Sequence, residues 1–371
     1  MTPPLDPASL HAEASAATGL HDFGEPTHHE ALERLVEALN TEARLNARGV
    51  AEVRGTLRAA LINRLLLHRS PAPPPIGAGT GPVVITGPPR SGSTFLHTLL
   101  ACHGGLRAPR LWELMHPVSP PGVPDSVLIE ATRRHVAAYY AAAPAMRDIH
   151  PMRAEGPEEC EYLMTTDFRN TVLGLIGYRV PGYAAWLLDQ DLTDAYRLHR
   201  LQLRAILARR PMPPGGRLLL KCPSHIWHLP SLVAVHPGTT LVELRRDRRQ
   251  ATASACSLAL HARRKRSDEV DPLEIGEQLD RALRLGTSRL NSFTAAPPAG
   301  VTHVPVDYED LVRDPVSTAR RLFGLLGLPD VPPALLDRHI ERCARRGRHV
   351  YSGRDFGLAP DASAHRPAAD R

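Results

Sequence analysis

Two glycines, Gly87 and Gly92, enclose four residues in the run Val83-Val-Ile-Thr-Gly-Pro-Pro-Arg-Ser-Gly-Ser-Thr-Phe-Leu96. An apolar strand that enters a glycine-bounded loop and leaves as a helix turns backbone N–H groups and the positive helix end toward one point. Such a point holds a phosphate. The spacing follows the nucleotide-binding pattern G-x-x-x-x-G-K-[ST], except that Ser93 stands where the pattern has lysine and Arg90 supplies the cation three residues earlier. Arg90, Ser91, Gly92, Ser93 and Thr94 therefore form a candidate anion cradle, with Arg90 adding a charge-assisted contact. The departure from lysine argues against the β/γ-phosphates of ATP. A plain strand-turn-helix corner, with glycines for tight turning, is the structural alternative.

The composition fits an anionic ligand. The 371 residues carry a formal charge of +6, but only 5% are aromatic and no basic segment is interleaved with aromatics, which argues against nucleic acid as a partner. Lys221 and Lys265 are the only lysines among 45 basic residues, so each invites a specific role. The five cysteines are scattered without C-x-x-C spacing and imply neither a zinc site nor a disulfide framework. Neither a leader peptide nor an apolar stretch of membrane-spanning length is evident, so the expectation is a cytoplasmic protein without a membrane span.

The elements that must position this loop follow from periodicity. Apolar residues recur at three- and four-residue intervals between 28 and 68 (Leu32, Leu35, Val36, Leu39, Leu57, Leu61, Leu65), which predicts two amphipathic helices. The Pro/Gly-rich stretch from Ser70 to Pro82 ends that layer and divides the chain into a helical extension, 1–80, and an α/β domain, 81–371. Helices are expected near 125–141, 157–166 and 192–209, the last capped by Asp191 or Thr193. Strands at 217–221, 239–244 and 301–306 alternate with helices near 225–235, 249–262, 315–326 and 332–345. That alternation predicts a three-layer α/β/α fold of the P-loop type around a central parallel sheet. Ligands collect at the carboxyl ends of such strands. Gly87–Thr94, Lys221, Arg246 with Asp247, and Tyr308 all fall there, so four segments converge on one crevice.

With these residues in view, the chain resembles the PAPS-dependent sulfotransferases. Pro89-Arg-Ser-Gly-Ser-Thr94 is similar to the family's 5′-phosphosulfate loop. Leu241 to Leu258 is similar to its 3′-phosphate segment, in which an arginine is followed eight positions later by a serine, here Arg246 and Ser254. The family's Asp-Pro becomes Asp247-Arg248. Tyr308-Glu-Asp310 resembles a motif whose tyrosine lies near the nucleotide, and Arg345 to Tyr351 with Asp355-Phe-Gly357 resembles the bacterial ending. The resemblance implies that Arg348 or a neighbouring arginine closes over the 3′-phosphate. It also implies 3′-phosphoadenosine-5′-phosphosulfate (PAPS) as donor, PAP as product, no metal, and a small-molecule or natural-product hydroxyl as acceptor.

Within the family the chain looks most like bacterial enzymes of the PRSGTT type and the tyrosylprotein sulfotransferases. That branch uses a glutamate about twenty residues beyond the loop and a lysine in a Lys-x-Pro segment. Glu113, 23 residues after Arg90, and Lys221 before Cys222-Pro223 match. The resemblance thus implies Glu113 as general base, Lys221 as the cation at the leaving group and Arg90 beside it. His150 and His225 are rival bases. The carboxylates of Gly156-Pro-Glu-Glu-Cys-Glu161 serve a helix dipole, or else orient the acceptor or support the base, and His261 to Arg266 is a solvated basic face or an acceptor-recruiting one. Two other functional classes remain open at this point: a P-loop kinase using ATP and magnesium, and a nucleotide-binding protein without chemistry.

Overall fold

The computed structural model describes residues 4–69, 73–76, 81–344 and 351–358. Five strands, β1 Val83–Thr86, β2 Leu106–Arg107, β3 Arg217–Lys221, β4 Thr240–Arg245 and β5 Thr302–Asp307, form one parallel sheet in the order β2-β3-β1-β4-β5. The α/β architecture is the expected one. Val83 aligns with Leu219 of β3 on one side and Thr240 of β4 on the other, so β1 is central. Every residue of β1 and β3 is buried, because helices cover both faces and leave no solvent side for polar alternation. Val84, Leu220 and Leu241 face one apolar cluster, while Val83, Ile85, Leu219 and Val242 face a second.

The chain leaves β1 toward β2 and leaves β4 toward β5, in opposite directions across the sheet. Their connections part at the carboxyl ends of β1 and β4, and that divergence opens a crevice.

Three helices precede the sheet: α1 Pro7–Thr18, α2 His29–Thr41 and α3 Ala47–Arg69. The last two are the expected pair. Asp6 caps α1 by accepting from Ser9 N–H, and Leu10 and Ala14 bury against Val53, Leu57 and Leu61 of α3. This layer shares the cluster that holds Val84 and Leu220, so the helical layer and the sheet close on one core. The expected boundary from Ser70 to Pro82 falls largely outside the described residues. Helix α4, Ser93–Leu100, follows the glycine loop, and α5, Leu111–Met115, follows β2.

Beyond these, Asp125–Ala142, Thr193–Arg209, Arg248–Arg264, Pro315–Leu325 and Pro333–Ala344 form close to expectation, although the cap position of the second is Leu192, with Asp191 one residue earlier accepting from Thr193 N–H at 2.8 Å. Of the segments that differ, two bear most on the site. The helix expected over 157–166 begins only at Glu161 and lasts to Met164, followed by a 3-10 turn. Glu158 N–H donates to Pro109 O and Cys160 N–H to Lys221 O, so these amides bond neighbouring segments instead of a helical turn. The second difference is the 24-residue helix Pro272–Ala295, which the expected elements omit. Its signals are present in the sequence: Asp271 caps Leu273 N–H, proline follows, and Ile275, Leu279, Leu283 and Leu290 recur on one buried face. Among the described residues no helix is long and apolar enough to cross a membrane.

This long helix supports the segment that follows β3. Trp227 Nε1–H donates to Ala282 O at 2.9 Å, and Gly286 lets the ring approach. A Cβ at Gly286 would lie 2.7 Å from both Ile226 Cδ1 and Trp227 Nε1. Gly286→Ala is expected to destabilise the fold by about 1–3 kcal/mol through overpacking. A urea midpoint that falls at constant slope would confirm this; an unchanged midpoint would show that Trp227 can move.

Candidate active site

The loop between β1 and α4 is shaped by close approach. Gly87 has φ 147°, and a Cβ there would lie 2.4 Å from Leu244 O of β4. Gly92, at φ 88°, caps α4 without a side-chain hydrogen bond, and Tyr308 packs against its Cα. Arg90 also has positive φ, 69°, a conformation that costs a non-glycine residue free energy and is held by its surroundings. Those surroundings are specific. Arg90 Nε–H donates to Ser254 Oγ at 3.1 Å and Nη1–H donates to Ile149 O at 2.8 Å, while Arg246 donates to the Arg90 carbonyl. The Arg246 guanidinium lies 4.1 Å above the Tyr308 ring. Burial lowers the Arg90 pKa, partly opposed by Tyr351 of the C-terminal segment.

Thus Arg90, Gly92, Ser93, Thr94, Arg246, Ser254 and Tyr308, from three separate segments, meet at the ends of β1, β4 and β5. Ser91 Oγ and Arg246 Nε are buried there without a protein partner, which suits a ligand rich in acceptor oxygens. Arg348 lies outside the described residues.

Lys221, the last residue of β3, is completely buried beside this cradle. Its ammonium donates to Glu159 Oε1 at 2.5 Å and to Thr94 Oγ1 at 3.2 Å, with Glu158 Oε1 at 3.9 Å. Against the penalty of burial, the two carboxylates raise the lysine pKa, so it remains charged. Glu159 moves the other way: burial alone would raise it, but Lys221, His150 and Arg90 hold the carboxyl below the usual range. His150 lines the same cavity, 3.9 Å from Glu158.

Glu113 and His225 are elsewhere. Glu113 is fully buried and accepts from Arg107 Nη2 at 2.6 Å, Arg110 N–H at 2.7 Å and Arg210 Nη1 at 3.1 Å. It closes a capping box at the start of α5 and does not line the cavity. His225 is enclosed between Tyr196 Oη at 2.8 Å and Cys160 Sγ at 3.2 Å, and burial, with His236 and His228 nearby, pushes its pKa down to about 3. The structure therefore brings Lys221 and His150 to the loop but neither Glu113 nor His225. The carboxylate that the sequence named only within a group, without a role of its own, is Glu159. Its signal was the Glu158-Glu-Cys-Glu161 run itself, since a buried lysine requires a carboxylate partner.

From this point a cavity of about 750 Å³ extends toward the N-terminal layer. Ala51, Gly55, Ala59 and Ala60 of α3 line it with Leu114, Leu173, Ile176 and Leu283. Glu161 also lines it, its pKa pushed up to about 7 by burial, with Cys222 Sγ–H donating to it at 3.1 Å. Asp247, the acid a magnesium-dependent kinase would need, caps the Arg248–Arg264 helix by accepting from Gln250 N–H at 3.0 Å.

The model of the sulfotransferase family matches residues 82–333, two-thirds of the chain. Among solved structures, the sulfotransferase STF1 from Mycobacterium tuberculosis is 29% identical, with 96% of each chain covered and a TM-score of 0.78. The sulfotransferase STF9 from Mycobacterium avium shares the fold at 22% identity and a TM-score of 0.79, covering 97% of this chain and 94% of its own. No relative is found among curated protein sequences. A parallel sheet with this loop, matched by the family model and by a solved sulfotransferase over nearly its whole length, places the chain in the sulfotransferase family.

Proposed function

We propose that this sulfotransferase takes its sulfuryl group from PAPS, bound between the Arg90 loop and the Arg246/Ser254 pair, and passes it to a hydroxyl held in the apolar cavity. One observation carries the reading: the buried Lys221–Glu159 pair stands where the anion cradle meets the cavity. The α4 N–H groups, Ser91, Ser93 and Thr94 hold the 5′-phosphosulfate, while Arg246, Ser254 and Tyr308 hold the 3′-phosphate and base. Glu159 takes the proton from the acceptor hydroxyl as that oxygen attacks sulfur. The bond from sulfur to the bridging oxygen breaks in line, and Lys221 and Arg90 receive the charge developing on that oxygen. PAP leaves. Glu113 has the structural role of fixing two arginines under α5.

Cavity shape bears on the acceptor. A phenol, a sugar, a lipid hydroxyl and a natural-product scaffold all carry the required group, but a long wall of small and aliphatic side chains favours an extended apolar body.

Four outcomes are expected. In thermal-shift measurements PAP raises the melting temperature and ATP with Mg²⁺ does not; stabilisation by the second alone would reject the donor assignment. Glu159→Gln lowers turnover by about 10²–10⁴-fold with PAP binding retained, whereas Glu113→Gln affects stability more than turnover. Because Lys221 holds Glu159 below the ordinary carboxylate range, activity should be lost on acidification only in strongly acidic solution; an acid limb near neutrality, or an active Glu159→Gln enzyme, would move the base elsewhere. Finally, Gly55 has open space around its Cβ. Gly55→Phe is expected to slow transfer to long apolar alcohols while small acceptors and PAP are unaffected, and equal effects on all acceptors would refute the apolar channel.

A further inference from the structure

Outside the site, three imidazoles from the N-terminal layer meet: His11 of α1, His28 of the turn before α2 and His29, its first residue. One ring nitrogen from each lies within 4.8 Å of those of the other two. His11 and His28 are the informative pair. The Nδ1 of His11 lies 2.8 Å from Pro7 O and the Nδ1 of His28 lies 3.4 Å from Glu25 O, carbonyls that favour a proton on each Nδ1. In that tautomer each Nε2 presents a lone pair, and the two Nε2 atoms face each other at 3.1 Å. Two lone pairs at that distance are accommodated by a shared cation, a metal ion in place of a bridging proton.

We propose that His11, His28 and His29 bind a divalent transition metal, with Zn²⁺ the best match. With Zn–N bonds of about 2.0–2.1 Å, two ligands of a tetrahedral ion stand about 3.3 Å apart, close to the separation in place. The carbonyls of Pro7 and Glu25 supply the outer hydrogen bonds that fix a ligating histidine's tautomer and orientation. His28 is fully buried, with Arg64 nearby. The Arg64 charge is balanced by Asp167 at 3.1 Å. Phe23 packs edge-on against His11, centroids 4.7 Å apart, and shields one side. His29 is exposed, its ring edge-on to His28 at 4.4 Å and to His11 at 5.4 Å between centroids, and leaves the fourth position to a solvent ligand. The metal would clamp α1 to α2 above Arg64, which donates to the carbonyls of Phe23, Glu25 and Thr166.

The test uses the full-length chain without an affinity tag, stripped with EDTA and desalted. Titration with Co²⁺ should give one equivalent bound, with the visible d–d absorption of a four-coordinate ion, displaced by Zn²⁺; Zn²⁺ should also raise the melting temperature. His11→Ala and His29→Ala should each weaken Zn²⁺ binding at least about tenfold, and the nearby exposed His21→Ala should not. His29 is on the surface, so the metal-free His29→Ala protein should melt with the parent and separate lost binding from misfolding. Absence of Co²⁺ binding would overturn the proposal and leave a simple imidazole–imidazole hydrogen bond. Unchanged affinity in either the His11 or the His29 variant would overturn it as well.

Discussion

A completely buried ammonium at the end of β3 sets the terms for the site. Lys221 has no water to solvate it, and a lone charge in that position would cost several kcal/mol. Its stability depends on Glu159 at 2.5 Å, Thr94 at 3.2 Å and the more distant Glu158. That requirement explains why the chain at Glu158 and Glu159 is not helical. Amides from this segment bond to Pro109 and to Lys221 itself, which turns the glutamates inward. The pair joins β3, the first turn of α4 and the cavity wall in one electrostatic unit. In the proposed reaction that unit supplies both the base and the cation, and each keeps the other ionised until substrates arrive.

The nucleotide side is organised by a different economy. Arg90 adopts a positive φ, and the free-energy cost is offset by hydrogen bonds from its side chain to Ser254 and Ile149 and from Arg246 to its carbonyl. Because Arg90 and Arg246 are linked through the backbone, the two ends of the proposed donor site are one rigid constellation. Glycines at 87 and 92 allow this by admitting Leu244 and Tyr308 to distances that a side chain would forbid.

The N-terminal helices are part of the same machine. They share the main apolar core with the sheet, and α3 forms a wall of the cavity, so the layer before the loop shapes the space where an acceptor would lie. Arg64 and Asp167, each 1% exposed, tie that layer to the turn after Glu161, the other wall. The proposed histidine site sits directly over this tie.

Local patterns determined much of this. The run from Val83 to Leu96 specified strand, loop and helix because each signal is short-range, and parallel topology followed from alternation along the chain. The position of Arg246, Tyr308 and Lys221 at strand ends was equally legible. The long helix from Pro272 was encoded by cap and period, both local, and was simply not among the elements read. What only the tertiary structure decided were pairings between distant segments. Nothing in the spacing of Glu113 or His225 reveals that one would be held by Arg107 and Arg210 and the other enclosed by Tyr196 and Cys160. Glu159 meets Lys221 across 62 residues, and His11 meets His28 across 17. Such contacts depend on how helices cross and which amides find partners elsewhere, and desolvation then fixes which groups stay charged. Residue types declared the chemistry available; burial selected which of them face the cavity.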